Sequence, residues 1–159
     1  MFEQLIEQLK RHEGFRAKIY LDTVGKRTIG YGRNIDDVPL SASELRLLGG
    51  ISPKEIIEKG VSKAQAETLL ILEIQRLHAE LKKNLSWFPE LDEARQAVLI
   101  NMAFNLGIKG LLGFTNTLRN IELGSYAQAA RNMLASKWAG QVKGRAAELA
   151  KQMETGQWQ

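Results

Sequence analysis

Two carboxylates and a hydroxyl near the start of the chain, Glu13, Asp22 and Thr28, have the types and spacing for acid–base chemistry. Glu13 stands where a helical pattern calls for a hydrocarbon. On a helical wheel Phe2, Leu5, Ile6 and Leu9 form one stripe, and at about 100° per residue Glu13 falls near its centre. Glu3, Glu7, Lys10 and Arg11 take the opposite face. A carboxyl group on a buried stripe loses hydration, which raises its pKa unless a cation or hydrogen-bond donors oppose the shift. A carboxyl raised in this way serves as a general acid. An isolated Glu at a helix end is ordinarily a solvated charge, and Asp22 and Thr28 taken singly are ordinary turn and strand residues. The three together are what point to catalysis.

The elements that position them follow from local pattern. Gly14 ends the first helix, Phe15 to Leu21 has the β-branched and aromatic character of a strand, and Asp22 closes it. Thr23-Val24-Gly25-Lys26 reads as a turn and Arg27 to Gly32 as the returning strand. Alternation puts Lys18, Tyr20 and Asp22 on one face, with Thr28, Gly30 and Gly32 sharing a face of the second strand. That side-chain-poor face admits a flat ligand. Beyond it the chain reads as helices. Ser41 with Glu44, Ser52 with Pro53 and Glu55, and Ser62 with Gln65 are capped starts, predicting helices near 42–48 and 53–59 and a long one from 63 to about 83. Pro89 begins the next helix and Gly107 ends it; its apolar residues surround the axis, so it is expected to be buried on nearly all sides. Asn101 and Asn105 on it read as buried, satisfied amides. Further helices are expected near 115–123, 126–135 and 143–154, separated by Gly124-Ser125 and Gly140 to Gly144.

Composition bounds the function. A chain of 159 residues can bury a sizeable core. It has no cysteine and two histidines, His12 and His78, far apart in sequence, so neither a disulfide framework nor a metal site is expected, and no cofactor is called for. His12 reads as a packed or capping residue. The first residues lack a basic start and apolar run, and no segment reaches the length of a membrane span, so a soluble chain without a cleaved signal is expected. The formal charge of +4, from 22 Lys and Arg against 18 Asp and Glu, suits an anionic surface. Nucleic acid is disfavoured because the cations are scattered and no binding motif occurs.

The sequence resembles the bacteriophage lysozymes of the T-even type, muramidases that cut host peptidoglycan. The resemblance rests on Glu13, eight residues, Asp22, five residues and Thr28, inside His12-Glu13-Gly14 and Thr28-Ile29-Gly30-Tyr31-Gly32. It extends through Ile100-Asn101-Met102-Ala103-Phe104, Gly113-Phe114-Thr115-Asn116-Thr117-Leu118-Arg119, Ala129-Ala130-Arg131-Asn132, Trp138 and Arg145-Ala146. It covers nearly the whole chain and is weakest between Arg33 and Gly60. It implies one lysozyme-like domain over 1–159, α+β and mainly α. A small β-hairpin lobe would span about 14–60, a connecting helix about 63–83, and a larger helical lobe about 84–159 plus the N-terminal helix 1–13.

The resemblance also implies roles. Glycosidic cleavage needs a proton donor for the leaving oxygen and a second carboxylate across the anomeric carbon. Glu13 fits the donor and Asp22 the second group. A wide gap between them holds a water and inverts the anomeric configuration, whereas a narrow one lets Asp22 attack and retains it; the resemblance favours inversion, with Thr28 helping to hold the water. It further implies that Asn34, Phe104, Thr117 and Asn132 contact saccharide and that Arg145 pairs with Glu13 behind the reacting groups. The family has His-Leu where this chain has Arg33-Asn34, so that histidine's salt bridge does not carry over. The implied partner is bacterial peptidoglycan, reached from the infected host's cytoplasm through a holin, by a monomer that lyses the host as an endolysin. The rivals are a lytic transglycosylase, which needs only one acid, a non-catalytic envelope or nucleic-acid binder, and membrane lysis by the helix at 143–154, whose apolar face is too small for strong insertion.

Overall fold

A computed structural model describes residues 2–159 of the chain. Among the described residues the order is α1 (Glu3–Glu13), β1 (Arg16–Leu21), β2 (Arg27–Gly30), β3 (Arg33–Asn34), α2 (Ala42–Leu47), α3 (Pro53–Lys59), α4 (Lys63–Asn84), α5 (Glu93–Leu112), α6 (Thr115–Glu122), α7 (Tyr126–Leu134), α8 (Lys137–Val142) and α9 (Gly144–Thr155). The fold is α+β and mainly α, as the resemblance implies. It divides into two compact units, Ile6–Gln75 and Arg76–Gln159, the second also taking the described residues before Ile6. No single helix among the described residues is long and apolar enough to cross a membrane.

In the first unit β1, β2 and β3 form one antiparallel sheet in sequence order. Tyr20 lies opposite Thr28 and Arg16 opposite Gly30, so β1 carries two more residues than its partner between those pairs and bends there. The released Ala17 carbonyl accepts from Val61 N at 2.8 Å. The third strand was not expected. Arg33-Asn34 has no strand character, but Ile29 pairs with Arg33 and Thr28 with Asn34, and Ile35 N donates to Arg27 O at 2.9 Å. Helices α2 and α3 start on their serines: Ser41 and Glu44 make a full capping box, and Ser52 accepts from Glu55 N with Pro53 in the first turn. Ile29, Ile56, Leu69 and Ala66 meet in the core of this unit. Ile29 and Ile56 are 0% exposed, and burying each contributes about 1.5–3 kcal/mol.

The second unit is built on α5, whose residues from Ala97 through Ala103 are all buried. The helix does not begin at Pro89 as the sequence predicted. Pro89 sits in a single 3-10 turn, Phe88–Glu90, and Asp92 caps α5 instead, its side chain accepting from Arg95 N at 3.1 Å. Gly107, where the sequence pattern ends the helix, kinks α5 with φ 78° and ψ 161° instead, and helical structure resumes beyond it to Leu112. Arg95 stacks 3.6 Å over the Tyr126 ring and donates to Met153 O and Glu154 O, satisfying carbonyls at the end of α9. Helix α8 was missed because Gly140 and Gly144 read as breakers; Ser136 starts it by accepting from Ala139 N at 3.2 Å.

His78 of α4 lies between the rings of Phe2, at 5.2 Å, and Phe88, at 5.7 Å. Burial and the Lys82 charge hold its pKa below the ordinary 6.5. The folded chain therefore binds this proton less readily than the unfolded chain. Its contribution to stability is complete above the unfolded value of 6.5 and is lost as pH falls through that value toward the folded one. The melting temperature is expected to drop between pH 7.5 and pH 5.5, with a shallower slope in His78→Gln; equal slopes in thermal scans would show that His78 is not the group responsible.

Candidate active site

The site is built on the first unit. Glu13 is the last residue of α1 and is half-buried. Its carboxylate packs against the backbone at Gly32, so closely that a methyl group added there would overlap it. Gly32 has φ 70°, a conformation that side-chain-bearing residues rarely adopt. This glycine therefore serves the turn after β2 and also makes room for Glu13.

Asp22 directly follows β1, at the hairpin turn. Its Oδ1 accepts from Val24 N at 2.9 Å and Lys26 N at 2.8 Å, and its own N–H donates to Lys26 O at 2.9 Å. With Oδ1 occupied by two amides, Oδ2 is the oxygen left for a ligand. Thr28 is 4% exposed, and its Oγ1 donates to the same Lys26 carbonyl at 3.1 Å. The hydroxyl proton is thus committed, leaving its lone pairs as acceptors. Asp22 and Thr28 meet on one peptide group, which the sequence reading placed only at a shared hairpin tip.

Tyr20 joins them. It lies opposite Thr28 in the sheet, and the Arg16 guanidinium stands 4.5 Å over its ring. Its hydroxyl titrates above its usual value, first through burial and then through the negative charges of Glu13 and Asp22, with Arg16 opposing. The phenol therefore stays protonated, with a hydroxyl hydrogen to donate. The sequence had put Tyr20 on the Asp22 face, and that two-residue spacing was the available signal for its place in the site.

Asn34 lies opposite Thr28 in β3. Its Oδ1 accepts from the N–H groups of Asp36 and Asp37 at 3.0 and 2.9 Å, and its Nδ2 donates to Asp37 at 3.0 Å. The remaining amide hydrogen is what it can offer a saccharide. Where the family histidine is absent, Arg33 forms its own buried pair. It is 5% exposed and donates to both oxygens of Glu44 through Nη1 and Nη2, at 2.6 and 2.8 Å. Burial works against the Glu44 charge, but hydrogen bonds from Arg33 and from Ser41 N, with the Arg33 charge, hold its pKa below the usual value.

The remaining residues belong to the second unit. Arg145 donates through Nε and Nη2 to Asn101 Oδ1 at 3.0 and 2.8 Å, so the buried Asn101 is satisfied as expected. Asn105 also has a partner, accepting from Trp138 Nε1 at 2.7 Å, but it is exposed and not buried as predicted. Phe104 is half-buried on α5. Thr117 and Asn132 line a cavity of about 540 Å³ with Phe114, Ser136, Lys137 and Trp138. Phe114 and Trp138 meet edge to face at 6.1 Å. Aromatic faces beside amides, hydroxyls and one lysine suit a polar ligand with apolar faces, as sugars are.

The comparison that decides the family is the match of residues 10–153 to the phage lysozyme model. The chain belongs to the phage lysozyme family. It is a glycoside hydrolase of the lysozyme type, acting on peptidoglycan in the manner of a muramidase. It is 28% identical to probable T4-type lysozyme 1 of Dictyostelium discoideum, over 98% of this chain and 96% of that protein, and 28% identical to lysozyme 2 of the same organism over the same shares. It is 30% identical to the pre-baseplate central spike protein Gp5 of Enterobacteria phage T4 over 96% of this chain, and spans 28% of the length of that protein.

Proposed function

We propose that this lysozyme hydrolyses the β-1,4 bond between N-acetylmuramic acid and N-acetylglucosamine in bacterial peptidoglycan with inversion. Glu13 protonates the leaving oxygen, Asp22 is the general base, and Thr28 holds the attacking water. The observation that supports this most is the shared anchorage of Asp22 and Thr28 on Lys26: a water can donate one hydrogen to Asp22 Oδ2 and the other to Thr28 Oγ1, whose own proton is already given to Lys26 O. Tyr20 stands by as a neutral donor. Asn34, Phe104, Thr117 and Asn132 contact the glycan, and the protein-borne groups carry out the reaction without a metal or cofactor. In this reading the chain is a monomeric endolysin, made in the cytoplasm of an infected host and released to the wall through a holin, causing lysis.

The likeness to the phage T4 spike protein favours a second setting, in which the same chemistry is carried by a phage structural protein. The reaction itself is tested by digesting purified peptidoglycan with the wild-type chain and with Glu13→Gln, then identifying sugar ends by mass spectrometry and the first-formed anomer by NMR. New reducing N-acetylmuramic acid ends in the α configuration, absent with the variant, are expected. Anhydro ends would make the chain a transglycosylase and remove the base role from Asp22, and β ends would replace inversion with retention.

A further inference from the structure

The Arg33–Glu44 pair is linked to Asp22 and Thr28 by two sets of hydrogen bonds joined through the backbone of the 35–39 loop. Arg33 Nε donates to Val38 O at 3.0 Å and Nη2 to Pro39 O at 3.2 Å, so the guanidinium that pairs with Glu44 also holds the far end of the 35–39 loop. The near end of that loop holds β2. Ile35 N donates to Arg27 O at 2.9 Å, Asp36 accepts from Arg27 N at 2.7 Å and Arg27 Nε at 2.8 Å, and Asp37 pairs with Lys26 Nζ at 3.2 Å.

The Arg27 N–H and the Lys26 C=O belong to one peptide group. That group is planar, so fixing the direction of its N–H fixes the direction of its oxygen. On the oxygen sit Asp22 N and Thr28 Oγ1, and the preceding N–H, that of Lys26, holds Asp22 Oδ1. Charge-assisted bonding of Asp36 to the N–H also polarises the carbonyl that receives the Thr28 proton.

We propose that Arg33, with Glu44 behind it, is a positioning residue for Asp22 and Thr28, acting through the 35–39 loop and the Lys26–Arg27 peptide group. Arg33 touches neither the substrate nor the reacting atoms; it sets the angle at which base and water holder face each other. The proposal rests on the catalytic reading of Asp22 and Thr28 given above.

The test cuts the relay at both ends. Arg33→Lys keeps the charge but loses the fork that reaches Glu44 and the two carbonyls together, and Asp36→Ala removes the bonds to Arg27 at a surface position. Each is expected to lower kcat about ten-fold while KM stays within about two-fold, since misplacement of a catalytic group reduces turnover more than binding. The double variant should be little worse than the more severe single, because both cut one route. Amide hydrogen exchange at Asp22 and Lys26, read by NMR well below the melting temperature, should quicken in both variants more than in the core of the unit.

Unchanged exchange at those two amides would overturn the relay. So would an unchanged kcat in Arg33→Lys and Asp36→Ala alongside an inactive Asp22→Asn, because Asp22 would then be catalytic and not dependent on the clamp. Retained activity in Asp22→Asn would instead overturn the reading of Asp22, and the positioning role would go with it.

Discussion

Replacing Glu13 with Gln is expected to lower kcat by about 10²–10⁴-fold, the range that general acid catalysis contributes. The substitution is nearly isosteric, so the packing of the side chain against Gly32 survives and the effect falls on chemistry. Glutamine can still accept and donate hydrogen bonds but cannot deliver a proton to a leaving oxygen. KM should therefore stay within about two-fold. Glu13 is half-buried, and its charge bears on the Tyr20 phenol. A variant that still melts cooperatively is the expected companion result, which separates lost chemistry from lost fold. Turbidity clearing of wall preparations and thermal scans on the same samples check both halves. Clearing at the wild-type rate would remove Glu13 from the mechanism, and lysis of whole cells with no glycan cleavage would move the activity to the membrane.

How far this was legible in the sequence depends on the range of the interaction. The placement of Glu13 at the end of the apolar stripe was readable because the pattern is local: Phe2, Leu5 and Leu9, which make the stripe, are all buried. The starts of α2 and α3 were readable for the same reason, since each capping serine and the amide it accepts from lie within four residues. β3 was not, because Arg33-Asn34 forms a strand only by pairing with Ile29 and Thr28 and has no propensity of its own. Nor was the Arg33–Glu44 pair, eleven positions apart: the departure from the family at Arg33 was visible, but its new partner was set by where α2 packs. Asn34 shows the limit in the other direction. Its type suits sugar binding, but most of its capacity goes into its own turn.

The second large effect is expected at a residue with no side chain. Gly32→Ala should lose about 10²-fold in kcat, although it alters none of the three proposed catalytic groups. Two costs combine there. The positive φ of 70° strains an alanine by about 1–2 kcal/mol, and the new methyl group would occupy the space taken by the Glu13 carboxylate. The strain alone lowers stability; the overlap must rotate or push back Glu13, which moves the proposed proton donor from its place. Gly124 separates the two. It has φ 76° in the second unit, and nothing lies within 4 Å of an added methyl group. Gly124→Ala should therefore show a similar loss of stability with kcat kept, whereas Gly32→Ala should show both losses. If the two variants melt alike and both cleave peptidoglycan at the wild-type rate, Glu13 does not depend on its seat at Gly32. If only Gly32→Ala is inactive while still folded, the missing side chain at position 32 is as much a part of the catalytic arrangement as the carboxylate it accommodates.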